Sequence, residues 1–199
     1  MTDIRTEPLP PGGRLRACWV AAHTPAAGVP RWARLAALAV PLTALPSCVW
    51  RIAAWFLDDG THDMQGDLPA WMPGWFYLVL LSVLSELFAF TAVGLVARWG
   101  EVFPRWVPFL RGRGVRPLAA VVPAALGAVA VTVLWTGAFI SEARGVTITG
   151  EELSDDYPTR QGAWEAAVLY VSYAPLLLWG PLLGAVTWAY WRRRRGIGA

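Results

Sequence analysis

Residues 98–117 read RWGEVFPRWVPFLRGRGVRP, in which Arg98, Arg105, Arg111, Arg113 and Arg116 face a single acid, Glu101. On each side lies an apolar run long enough to cross a bilayer. A stretch so rich in arginine resists transfer through a membrane and, by the positive-inside rule, stays cytoplasmic. Its side fixes that of every other loop, so the whole chain is read from it.

The composition agrees. The chain has 199 residues, 56% of them hydrophobic and only 16% charged, with a mean hydropathy of +0.42. That is too apolar for an ordinary soluble domain. All seventeen basic residues are arginine, and there is neither lysine nor asparagine. This bias points to a GC-rich genome and not to a function. The arginines collect at the edges of apolar runs, not along a basic helix interleaved with aromatics, which sets nucleic acid aside as a partner. Cys18 and Cys48 stand thirty residues apart without a CxxC step. A disulfide framework, a zinc ribbon and a thiol-redox enzyme therefore lose their main support.

Taken in order, residues 1–31 hold five prolines, three glycines and four arginines, the composition of a disordered cytoplasmic tail. The longest apolar run there, Ala17–Ala22, is too short for the core of a cleavable signal. Four spans follow, at about 32–57, 72–97, 118–140 and 163–191, each long enough at ~1.5 Å per residue to cross a ~30 Å hydrocarbon core. The expected fold is all-α, a polytopic four-helix transmembrane bundle over residues 32–191, with 192–199 as a basic cytoplasmic tail. Pro41, Pro46, Pro175 and Pro181 bend the helices that carry them.

Fourteen of the seventeen arginines fall on the side of the central loop, and nine of the fourteen acids fall in the two opposite loops. A multi-pass protein of the cell membrane with both termini cytoplasmic satisfies this distribution. Tryptophans mark both edges, Trp32, Trp99, Trp106, Trp188 and Trp191 inside, Trp55, Trp71, Trp75 and Trp164 outside. Arg98, Arg105, Arg111 and Arg113, with Trp99 and Trp106, are placed to contact anionic lipid headgroups at the cytoplasmic face. The outer loop 58–71 carries four aspartates and His62 but lacks the EF-hand pattern, with Met64 where a glycine is required. No metal site and no cofactor are expected. Gly180 and Gly184 form a GxxxG step, whose two uses are packing inside the bundle and a homo-oligomer.

Glu86, then Gly94-Leu95-Val96-Ala97, Arg98-Trp99-Gly100-Glu101, Pro104-Arg105-Trp106 and Pro108 resemble a group of small four-span membrane proteins from high-GC actinobacteria. The resemblance covers about residues 86–117. It implies a bacterial cell membrane and brings no activity and no catalytic residues with it.

Two spans carry a charge near their interior, Arg51 in the first and Glu86 in the second. Ser47, Arg51, Ser82, Thr132, Thr136, Tyr170, Ser172 and Tyr173 all fall in the outer half of the spans, and Glu86 lies near the middle of its own. Polar groups facing lipid are costly, so these residues are expected to face one another as a polar intramembrane site open to the outside. An Arg51–Glu86 ion pair is the sharpest form of that expectation, since each Cα–Cβ bond tilts toward its helix N-terminus and the two side chains lean together. The leading functional reading is a binding or accessory protein and not an enzyme. The alternatives are a small oligomeric transporter using Glu86, and an enzyme acting on a lipid or isoprenoid.

Overall fold

The computed structural model of the protein describes residues 26–57, 69, 71–101, 114–155 and 157–196. Helix α1 covers Arg31–Leu57, α2 Gly74–Gly94 and α3 Pro117–Ala143. A one-turn α4 (Pro158–Gln161) precedes the last span, in which α5 (Ala163–Tyr173) and α6 (Leu176–Gly196) follow one another. Four segments, Arg31–Phe56, Gly74–Gly94, Pro117–Ala143 and Ala163–Gly196, are long and apolar enough to cross a membrane. The protein is thus an all-α, four-helix membrane protein.

The expected boundaries shift in three places. The second span ends at Gly94, because Leu95–Ala97 fold back and lead into a 3-10 turn at Arg98–Gly100. A Cβ on Gly100 would run into the Gly94 carbonyl, so this close return of the chain depends on glycine. The last span breaks between α5 and α6 at Ala174 and Pro175, where proline has no N–H to give. The arginine tetrad Arg192–Arg195 is not a free tail but the final turns of α6.

Helix association in lipid relies on close packing of small residues, and the buried stripes show it. Helix α1 buries Ala33, Ala37, Val40, Ala44 and Ser47, alternating steps of four and three. Helix α6 answers with Leu176, Trp179, Gly180, Leu183, Val186 and Tyr190. Helix α6 packs against both α1 and α3, and α2 packs against α1. The spans therefore stand in the order α3, α6, α1, α2, and α2 and α3, though consecutive in the chain, share no extensive face. Gly180 lies in the α3–α6 contact, where a Cβ would meet Thr132 Oγ1 and come within 2.7 Å of the Ala128 carbonyl. The GxxxG face is occupied by the chain's own α3. A homo-oligomer through Gly180 and Gly184, the other use of that step, would first have to displace it.

At the arginine-rich end, Arg193 continues the buried stripe of α6 one step beyond Tyr190. Its guanidinium pairs with Glu101 at 2.7 Å and donates to the carbonyls of Leu95 (3.4 Å) and Ala27 (3.3 Å). Arg194 donates to the Val115 carbonyl at 2.9 Å, and Val115 N–H donates to the Glu101 carbonyl at 2.8 Å. Arg192 and Arg195 instead lie over the Trp188 and Trp191 rings, 4.8 and 4.1 Å from the centroids. Two of the four arginines thus hold the chain entering α1, the end of α2 and the start of α3 together. Ala26 already belongs to this folded part, buried with its N–H donating to Val96 O at 2.8 Å. The rest of the expected tail, residues 1–25, lies outside the described residues.

Candidate functional site

The expected intramembrane residues do not assemble into one polar network. Ser47 donates to Ala44 O (2.8 Å), Thr43 to Val40 O (2.7 Å) and Thr132 to Ala128 O (2.7 Å), each satisfied by its own helix. Such back-bonding is the cheapest way for a hydroxyl to live in a helix facing lipid or protein. Thr136 is exposed, Ser172 is buried in α5, and Ser82 is buried with its Oγ unpartnered.

The expected Arg51–Glu86 ion pair is absent. Arg51 Nη2 lies 3.3 Å from Cys48 Sγ, one turn toward the helix N-terminus as the Cα–Cβ tilt requires, and is close enough to Tyr173 to act on it electrostatically. Cys48 Sγ in turn donates to Ser82 O at 3.5 Å, and Trp55 covers Gly74, which sets the register of α1 on α2. In that register Arg51 lies a turn beyond Cys48 and Glu86 a turn beyond Ser82 in the opposite direction, about 10 Å apart along the axis at ~1.5 Å per residue. Cys48 and Tyr173 stand beside the guanidinium instead, and Arg51 Nε and Glu86 Oε1 are both buried without a partner.

This arrangement makes a prediction opposite to that of an ion pair. Glu86→Leu is expected to leave stability unchanged or to raise it by ~1–3 kcal/mol, the cost of an unsatisfied buried polar group. Losses and gains from Arg51→Leu and Glu86→Leu are expected to add in the double variant. Thermal unfolding of the three variants in detergent checks this, and a coupling above about 1 kcal/mol would show that the two groups do interact.

Of the expected polar residues, Tyr170 and Tyr173 line a cavity. It measures about 530 Å³ and lies between the last turns of α3 and the C-terminal turns of α5, at the end of the bundle opposite the arginine-rich one. Five aromatic side chains line it, Trp135 and Phe139 from α3, Tyr157 from the connecting loop, and Tyr170 and Tyr173 from α5. Phe139 stacks with Tyr170 (centroids 6.3 Å apart) and Trp135 tilts against Tyr173 (6.0 Å), so the rings hold one another in place. The Tyr170 hydroxyl donates to Glu142 Oε1 at 2.9 Å.

A compact loop, Val146–Thr149, caps the cavity. The strand-like composition of this segment produces one isolated antiparallel bridge, Val146 to Glu152, and no strand among the described residues. Gly145 (φ 75°) and Gly150 (φ 90°) take the left-handed conformation its two reversals need. Thr147 braces the turn, since its N–H donates to Glu151 O (2.7 Å) and its Oγ1 accepts from Glu151 N–H (3.1 Å). Leu153 is buried beneath it. Tyr157 sits at the rim, where burial, reinforced by the negative charge of Glu142, pushes its phenol above the ordinary value.

Sequence reasoning missed this cavity because it counted Tyr170 and Tyr173 as polar groups of the Arg51 and Glu86 network and gave Trp135, Phe139 and Tyr157 no partner. The available signal was their coincidence with Glu142 at the mouth of the longer outer loop. Arg98 and Trp99 lie at the arginine-rich end, with Trp99 stacked 6.3 Å from Phe90. Arg105, Arg111, Arg113 and Trp106 lie outside the described residues, as does the acidic loop around His62. Among the described residues no three His, Cys, Asp or Glu side chains converge as metal ligands. No protein-family model, curated protein or solved structure matches this chain.

Proposed function

We propose that this membrane protein is a binding or accessory protein whose site is the aromatic cavity between α3 and α5, and that it holds the apolar body of a small amphipathic molecule there. The observation that carries this reading is a cavity of about 530 Å³ lined by five aromatic side chains and flanked by a braced loop. That size falls in the range of ligand pockets, ~300–1,000 Å³, which are apolar with a few fixed polar groups. The site is thus less polar and nearer the membrane edge than a network around Arg51 and Glu86 would be.

A photoreactive decyl maltoside, added to the protein in lipid nanodiscs, tests it. Crosslinks are expected to concentrate in residues 135–173 and to fall roughly tenfold, about 1.4 kcal/mol, when Ala138→Trp fills the cavity. Crosslinks spread evenly over all the lipid-facing helix surfaces, or unmoved by Ala138→Trp, would overturn the reading.

We place the cavity on the outer side of a cell membrane, supported by the arginine distribution. In cells with Cys18→Ser, an impermeant maleimide is expected to label Glu151→Cys and to leave Gly196→Cys unlabelled. The reverse pattern would invert the protein.

A further inference from the structure

The cavity lining contains one acidic side chain, Glu142, and no arginine. The aromatic side chains of Phe139, Tyr157, Tyr170 and Tyr173 line the same cavity. Tyr170 satisfies only one carboxylate oxygen, Oε1. Arg160 pairs with Asp155 at 3.3 Å, and Arg144, the residue that ends α3, is exposed and makes no ion pair among the described residues. A carboxylate at the mouth of an aromatic cavity, with no cation paired to it among the described residues, is complementary to a positive charge with an apolar body. Ring faces attract an ammonium through their quadrupoles, and a carboxylate beside them adds a charge-assisted contact.

We propose that the ligand of this cavity is an amphiphile carrying an ammonium group, with the ammonium held between Glu142 and the tyrosine rings and the alkyl body lying between α3 and α5. This rests on the cavity being a binding site and specifies the charge of what it binds. Tyr170 is a positioning residue here: stacked on Phe139 and bonded to Glu142, it fixes the carboxylate at the mouth.

The same nanodiscs, made from phosphatidylglycerol, carry the test with three photoreactive probes of equal chain length: decyltrimethylammonium, decyl maltoside and decyl sulfate. The ratio of wild type to Glu142→Gln is read for each, which cancels unequal partition into the lipid. For the cation, labelling of residues 135–173 is expected to drop roughly tenfold in Glu142→Gln and to be partly kept in Glu142→Asp, the effect of losing one charge-assisted contact. Maltoside labelling is expected to stay unchanged, which also shows that the variant is folded. Cation and maltoside responding alike would overturn the charge assignment and leave the cavity reading intact. Failure of all three probes to label residues 135–173 would remove both. Competition by added phosphatidylethanolamine would identify a lipid headgroup as the source of the ammonium, and competition by decylamine alone a soluble amine.

Discussion

Arg193→Leu is expected to lower the stability of the protein in detergent by roughly 3 kcal/mol, the low end of what breaking a buried ion pair costs. The Arg193 side chain is 7% exposed and its partner Glu101 23% exposed. Removing the arginine strands the carboxylate in a site from which water is largely excluded. It also deprives the carbonyls of Leu95 and Ala27 of a donor. Glu101→Leu strands a guanidinium that keeps those two carbonyls, so its loss is expected to be smaller. The double variant leaves no stranded charge and is expected to lose less than the two singles together. Thermal unfolding of the three variants in one detergent gives the cycle. Strict additivity would mean that Arg193 acts only as a membrane-edge charge, which is how the arginine tetrad reads in the sequence. Arg195→Leu is the control, since Arg195 is exposed and lies over the Trp191 ring.

The second large effect concerns the α3–α6 seam. Gly180→Ala is expected to destabilise by about 1–3 kcal/mol, the usual cost of forcing a methyl group into a filled contact. The obstacle is partly backbone: the added Cβ would sit 2.7 Å from Ala128 O as well as against Thr132 Oγ1. Thr132 can turn away, but the carbonyl can yield only if the helices part. Gly184→Ala meets its nearest atom, Ala128 Cβ, at 3.9 Å, and Gly137→Ala meets nothing within 4 Å. Both are expected to be neutral or mildly stabilising, because alanine is the better helix former. Unfolding midpoints of the three variants decide it. A tolerated Gly180→Ala would show that α3 and α6 pack more loosely than their contact implies. Loss of a dimer in Gly180→Ala without loss of monomer stability would assign the GxxxG step to oligomerisation.

The sequence by itself determined the number of spans, the loops between them and which ends share a side. Each of these depends on how a residue partitions between hydrocarbon and water, a property that hydropathy and charge carry locally. The arginines around Arg98 and Arg192–Arg195 could be gathered at one end from the sequence alone, and so could Trp32 and Trp188, whose rings stand 6.4 Å apart.

Neighbours were another matter. Lipid and protein interior are about equally apolar, so hydropathy cannot say which face of a span meets which helix. That left Arg51 and Glu86 as a plausible pair until the α1–α2 register, set by Trp55 over Gly74 and by Cys48 at Ser82, put them a turn apart on either side of that contact. It left Arg193 indistinguishable from Arg192, although one step along the helix separates a buried ion pair from a ring contact at the surface. The cavity is of the same kind. Trp135, Phe139 and Glu142 come from α3, Tyr157 from a loop, Tyr170 and Tyr173 from α5, and only the packing that brings the end of one span to the start of the next, under the turn held by Gly145 and Gly150, makes one surface of them.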